Sequence, residues 1–192
     1  AATGRVARDG LLRGHGGSVL SLAFSPDGRT LVSAGLIDPL FVWDLEKRVA
    51  CRIEVPQDLG PECVAFSPDG RTVAAAGQDP KVFTLDLGAD LPAWALFADV
   101  GEGVRLPAGT RPLAFSPDGE TLAVACTDGR VRLYGTKDKA LRRTLTHDSG
   151  GELAWAVAFH PTVPLVATTG RDKVVRLWDG TTGKPWPKQL AD

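Results

Sequence analysis

The side chains able to do chemistry are few in this chain of 192 residues: three histidines, three cysteines and a recurrent aspartate. Covalent hydrolysis needs a nucleophile activated by a neighbouring base. Gly14-His15-Gly16-Gly17 is a run of the kind that builds an oxyanion hole, yet no Gly-x-Ser-x-Gly supplies the nucleophile. Metal chemistry needs clustered ligands. The histidines fall at unrelated spacings, and no Cys-x-x-Cys, His-Glu-x-x-His or calcium-loop pattern occurs. Gly180-Thr181-Thr182-Gly183-Lys184 is a turn containing a lysine, not a phosphate-binding loop. The expectation is no catalytic residue, no metal and no cofactor.

Charge narrows the partners. Lysine plus arginine is 22 and aspartate plus glutamate is 23, a net charge of −1, so no basic field draws nucleic acid or a membrane surface. No apolar run approaches the ~18 residues that a span needs, and no signal-peptide pattern opens the chain. Cys51, Cys63 and Cys126 each lie in an apolar, strand-like run. They read as free buried thiols in a reducing compartment, hence a cytoplasmic protein. Methionine is absent throughout, which suggests an excerpt of something longer.

Self-comparison explains the aspartates. Ala-Phe-Ser-Pro-Asp-Gly occurs at 23–28, 65–70 and 114–119, and 158–161 is a degenerate copy. The phenylalanines Phe24, Phe66, Phe115 and Phe159 are spaced by 42, 49 and 44 residues. Nineteen residues beyond each stand Trp43, Leu85, Tyr134 and Trp178, an invariant register across four copies. In Ser-Pro-Asp-Gly, proline presets φ, aspartate bonds back to the turn, and glycine accepts positive φ. Recurrence at one slot makes Asp27, Asp69 and Asp118 turn-formers rather than acid–base groups.

The turn implies the elements around it. Residues 19–25, 63–67, 113–116 and 156–159 are short apolar runs without helical period, suited to buried strands. Second strands follow, as at 30–34 and 121–125; turns come at 77–80, 127–129 and 170–172. Third strands end at the Trp slot: 40–44, 82–86, 131–134 and 174–179. Weaker fourth strands lie at 49–55, 93–97 and 141–145. Each unit is thus one antiparallel four-stranded sheet in an all-β chain.

This pattern resembles the WD-repeat β-propeller family over essentially the whole chain. The resemblance implies a buried His–Ser/Thr–Asp–Trp set in each blade. It maps onto His15, Ser33, Asp38 and Trp43 in the first blade, and onto His147, Thr168, Asp172 and Trp178 in the fourth. The second blade keeps Asp79 but has Gln57, Ala75 and Leu85. The third keeps Asp128 but has Leu106, Val124 and Tyr134. The middle blades are therefore expected to replace the polar set with apolar packing.

The repeat frame assigns 14–55, 56–99, 100–146 and 147–192 to four blades. Residues 1–13 read as the outer strand of a preceding or closing blade. Residues 184–190 form a competing outer strand weakened by Pro185 and Pro187. Four blades fit an arc of a larger ring, half of an eight-bladed ring completed by a second copy, or a small ring closed alone. Open arrays leave apolar end faces, so self-association through them is a further expectation.

In the family this chain resembles, partners dock on the loops into each first strand and between the second and third strands. Those loops nominate Glu62, Gln78, Glu102, Arg105, Arg111, Thr127, Trp155 and Arg171 as partner-binding residues for proteins or peptides. The long step to Phe115 places its extra residues in the loop 99–111, which has glycine hinges and two arginines. The function expected is a non-catalytic interaction scaffold within a larger regulatory protein. The alternative is a small-ligand or enzymatic propeller with a site in the central channel. Convergent groups at equivalent slots would favour that alternative, but Leu20, Glu62, Arg111 and Trp155 are unlike one another.

Overall fold

The structure, a computed structural model, describes residues 5–6, 10–35, 39–56, 59–77, 79–89, 92–102, 104–107, 110, 112–147 and 153–187. Among them all regular structure is strand. The first sheet contains β3 (Val19–Phe24), β4 (Thr30–Gly35), β5 (Leu40–Asp44) and β6 (Val49–Ile53), extended by β1 (Arg5–Val6) and β2 (Leu12–Arg13). The second runs β7 (Cys63–Phe66), β8 (Thr72–Ala76), β9 (Lys81–Asp86), β10 (Trp94–Asp99). The third runs β11 (Leu113–Phe115), β12 (Thr121–Ala125), β13 (Arg130–Gly135), β14 (Leu141–Thr146). The fourth has β15 (Ala154–Phe159), β16 (Leu165–Gly170) and β17 (Val175–Asp179). All pairings are antiparallel, as in the blades of a propeller.

The Ser-Pro-Asp-Gly turns share one geometry. Ser25 Oγ donates to Asp27 Oδ1 at 2.6 Å, the Arg29 N–H donates to the same oxygen at 3.0 Å, and Gly28 takes φ 71°. Ser67 with Asp69 and Ser116 with Asp118 repeat it. The serine hydroxyl first, then the backbone N–H, holds all three carboxyls below the usual range.

Register sorts each sheet into two unlike faces. Phe24 pairs with Leu31, Leu31 with Trp43 and Leu22 with Ser33, so large side chains share what we term the rear face. Ala23 pairs with Val32 and Ser21 with Ala34 on the forward face. Each rear face packs on the forward face before it. Leu85, Val73 and Phe83 cluster with Val32, Ala34 and Leu40. Leu122 and Tyr134 cluster with Ala74, Ala76 and Val82. Trp178 and Val166 cluster with Ala123, Ala125 and Val131. Bulky side chains entering alanine-floored troughs bury most apolar area and set the spacing between sheets.

The two end sheets are built differently from the two middle ones. β1 and β2 add to the outer edge of the first sheet, Arg5 opposite Val49 and Val6 opposite Leu12, rather than completing another blade. Leu12 packs against Leu31, Phe41 and Trp43, apolar surface that no other sheet covers. Of the outer strand expected at 184–190, the described residues 184–187 form one bridge, Trp178 to Pro185, where the two prolines cannot donate to a ladder. Among the described residues the fourth sheet has three strands; residues 188–192 lie outside them. Cys63 and Cys126 are buried, and burial pushes both thiols up to about 12. Cys51, expected to be buried, is exposed on β6, a strand on which only Ala50 is buried.

Candidate partner-binding groove on the loop face

Rigid sheets position the loops. In the fourth sheet the Trp178 indole N–H donates to Thr168 Oγ1 at 2.8 Å, and His147 Nε2 meets the same oxygen at 2.8 Å. In the first, Trp43 donates to Ser33 Oγ at 2.8 Å and His15 Nε2 meets it at 2.7 Å. One hydroxyl thus joins a third strand, a second strand and the loop into the first. In the third sheet the slot is apolar: Leu106, Val124 and Tyr134 share one cluster, and Tyr134 meets Phe97 edge-on at 6.1 Å. Asp38 lies outside the described residues, and Asp79 is exposed in its turn.

At the boundary of the third and fourth sheets, the loop ends open a groove of about 460 Å³. Arg105, Leu106, Pro107 and Thr110 form one wall; Thr127, Leu153 and Trp155 form the rest. The wall is pinned twice. The Arg105 N–H donates to Thr127 Oγ1 at 2.9 Å, and the Thr127 N–H donates to the Arg105 carbonyl at 2.9 Å. The Ala154 N–H donates to the Cys126 carbonyl at 3.1 Å, coupling the two sheets.

Trp155 reaches the groove because strand register breaks there. Ala154 pairs with Gly170 and Ala156 with Thr169, leaving Trp155 as the bulged residue between them. Its ring stays 38% exposed rather than entering a sheet interface. Arg171 is exposed beside it, its N–H donating to the Leu153 carbonyl at 3.1 Å.

Four stretches, 8–36, 59–83, 113–135 and 139–179, match the family model described as WD domain, G-beta repeat. The chain belongs to the WD-repeat family. A putative coatomer subunit alpha of Schizosaccharomyces pombe is 42% identical over 55 residues, which is 28% of this chain and 4% of that protein. The solved β-propeller domain of Myceliophteria thermophila Cps50 (Swd1) superposes with a TM-score of 0.70 at 17% identity. It covers 87% of this chain, and the chain spans 54% of it. No described helix is long and apolar enough to cross a membrane.

This WD-repeat chain brings Arg105, Thr127 and Trp155 together, with Arg171 adjoining. Glu102 is exposed on the same loop but does not line the groove. Gln78 and Arg111 lie outside the described residues. Glu62 is not an exposed loop residue: it is buried, because its N–H extends the ladder to the Ala76 carbonyl at 2.9 Å. The apolar lining of Leu106, Pro107 and Leu153 escaped sequence reasoning, since those residues lie 46 positions apart in the chain at most closely 153 to 107.

Two arginines of the WD repeats were also missed. Arg132 holds Asp128 through bonds of 3.1 and 2.6 Å, and Arg176 pairs with Asp172. Burial opposes ionisation of Asp128, but the bonds and charge of Arg132 outweigh it and lower its pKa. Burial likewise opposes ionisation of Asp172, but the bond and charge of Arg176, with His147 adding to them, lower its pKa. The signal was present. Two residues before the Trp slot stand Phe41, Phe83, Arg132 and Arg176, so arginine occurs only where an aspartate precedes it by four.

Proposed function

We propose that this WD-repeat chain is a non-catalytic protein-interaction scaffold, and that its partner enters the groove beside Trp155. The observation that carries this reading is the convergence of Arg105, Thr127 and Trp155, from two different sheets, on one apolar-walled groove. Tryptophan and arginine are the side chains most enriched at interface hot spots. Leu106, Pro107, Leu153 and Trp155 suit an apolar side chain, while exposed Arg105 and Arg171 suit carboxylates flanking it. The partner class is therefore a peptide segment with an apolar anchor next to acidic residues. Larger clefts of about 860 and 630 Å³ lie at the opposite, Ser-Pro-Asp-Gly end of the sheets. Their polar walls combine the turn residues Ser116 and Asp118, already bonded to each other, with Arg142 and Arg143 of the third sheet's outer strand. The likeness to a coatomer subunit supports a place in a larger assembly.

Selection of a random-peptide display library on the chain tests this. Enriched peptides should carry an aliphatic or aromatic residue beside Asp or Glu. They should lose binding to Trp155→Ala and Arg105→Glu variants whose thermal melts match the parent. Peptides that bind both variants unchanged would refute the site.

A further inference from the structure

His147 uses one of its two ring nitrogens. Nε2 meets Thr168 Oγ1, but Nδ1 is buried and has no hydrogen-bond partner among the described residues. It lies against Gly170, where a Cβ would stand 3.1 Å from Nδ1, 3.4 Å from Asp172 Oδ1 and 2.6 Å from the Leu153 carbonyl oxygen. Glycine thus lets an imidazole, a carboxylate and the backbone of the groove wall meet at one point. Both acceptors there are in use. The Val174 N–H, at 3.2 Å, and Arg176 hold Asp172, and the Arg171 N–H holds the Leu153 carbonyl at 3.1 Å. Leu153 lines the groove, and Trp155 follows two residues on.

We propose that protonation of His147 unseats Leu153 and Trp155, so that acid releases the partner from the groove; this rests on the reading of that groove as the partner site. A neutral imidazole carries one N–H, whereas the imidazolium carries two and keeps no acceptor. The new charge is buried, so its Nδ1 side must find an acceptor. Those at Gly170 are the Asp172 carboxylate and the Leu153 carbonyl. Taking the first frees Arg176 and loosens the 170–174 turn; taking the second frees the Arg171 N–H at the groove edge. The charges acting on the ring are Arg176 on β17, which opposes the imidazolium, and Asp172 on that turn, which favours it. β15 and β16 contribute no ionisable side chain. Across the sheet boundary the His147 N–H donates to the Gly129 carbonyl at 3.1 Å. Asp128 and Arg130 flank that glycine and pair at 3.4 Å, with Arg132 on the same carboxylate.

NMR of the labelled chain alone, from about pH 7.5 to about pH 5, tests this without any partner. The Leu153 amide and the Trp155 indole N–H, assigned with Trp155→Phe, should move along one titration curve shared with the His147 ring. His147→Gln should abolish the movement. His160→Gln, which changes an exposed histidine at the opposite end of the sheet, should leave it intact. Arg176→Leu removes the opposing cation and should carry the midpoint to higher pH, a shift that lost packing alone does not give. The Kd of a peptide selected at neutral pH should rise by up to about 10-fold per pH unit below the midpoint, the limit for one linked proton, in the parent but not in His147→Gln. A His147 ring that stays neutral throughout, one that titrates while Leu153 and Trp155 stay still, or equal movement in His147→Gln would each overturn the proposal. A chain that shows the shared titration but selects no peptide supports the switch and sinks the groove's role as the partner site instead.

Discussion

The indole N–H of Trp178 donates to Thr168 Oγ1 at 2.8 Å, tying the third strand of the last sheet to the second. Replacing Trp178 with alanine removes both this bond and a buried ring, and should cost about 3–5 kcal/mol in urea unfolding. Thr168→Val leaves Trp178 and His147 without their shared oxygen and should cost about 1–3 kcal/mol. Unfolding midpoints equal to the parent's would show that the hydroxyl is not the hub of the sheet.

Acid should loosen the same sheet. Burial first, then the charge of Arg176, holds the His147 imidazole below its ordinary 6.5, with Asp172 opposing. Protonation therefore favours the unfolded chain. The stability from His147 is fully present above about pH 6.5, and it is lost as pH falls from there through the lower folded value. Stability measured between about pH 7.5 and about pH 5 should fall more steeply for the parent than for His147→Gln. Identical slopes would contradict it.

One glycine slot is set by close backbone approach. A Cβ added at Gly77 would overlap the carbonyl oxygen of Gly60, and one at Gly35 that of Ser18. Gly77→Ala should destabilise the chain by about 1–3 kcal/mol. The third sheet has Cys126 in this slot, where the longer loop 99–111 leads in. Cys126→Ala should cost less than Gly77→Ala, and a thermal melt of each variant orders the pair. The reverse order would mean that the incoming loop does not press on the strand end.

The side chains of the Asp128–Arg132 pair are 20% and 11% exposed, so the pair is mostly shielded from solvent. A double-mutant cycle with Asp128→Asn and Arg132→Leu should give a coupling of about 0.5–2 kcal/mol, reduced by salt. Additive single effects would leave the pair without a structural role.

What was legible in the sequence divides along physical lines. The register of Phe24, Trp43 and their counterparts exposed the four sheets, because repeated units must bury equivalent faces and repetition leaves a period. Arg105, Thr127 and Trp155 could be nominated from loop position in that frame. Their meeting in one groove could not, since it depends on a bulge at Trp155 and on a bridge between two loops. Whether β1 and β2 join the first sheet or another is decided by which edge is free, and residue pattern alone does not encode that. Arg132 and Arg176 leave no period of their own, because the slot two residues before the Trp position holds phenylalanine, Phe41 and Phe83, in the other two repeats.

The central claim is that partners enter beside Trp155, and amide-resolved NMR tests it most directly. A labelled chain would be titrated with a peptide selected for an apolar residue flanked by carboxylates. The account predicts saturating shifts for the Trp155 indole N–H and for the backbone of Arg105, Thr127 and Leu153, with the turns at Asp27, Asp69 and Asp118 unmoved. Shifts confined to those turns, with the Trp155 indole unchanged at saturation, would contradict it.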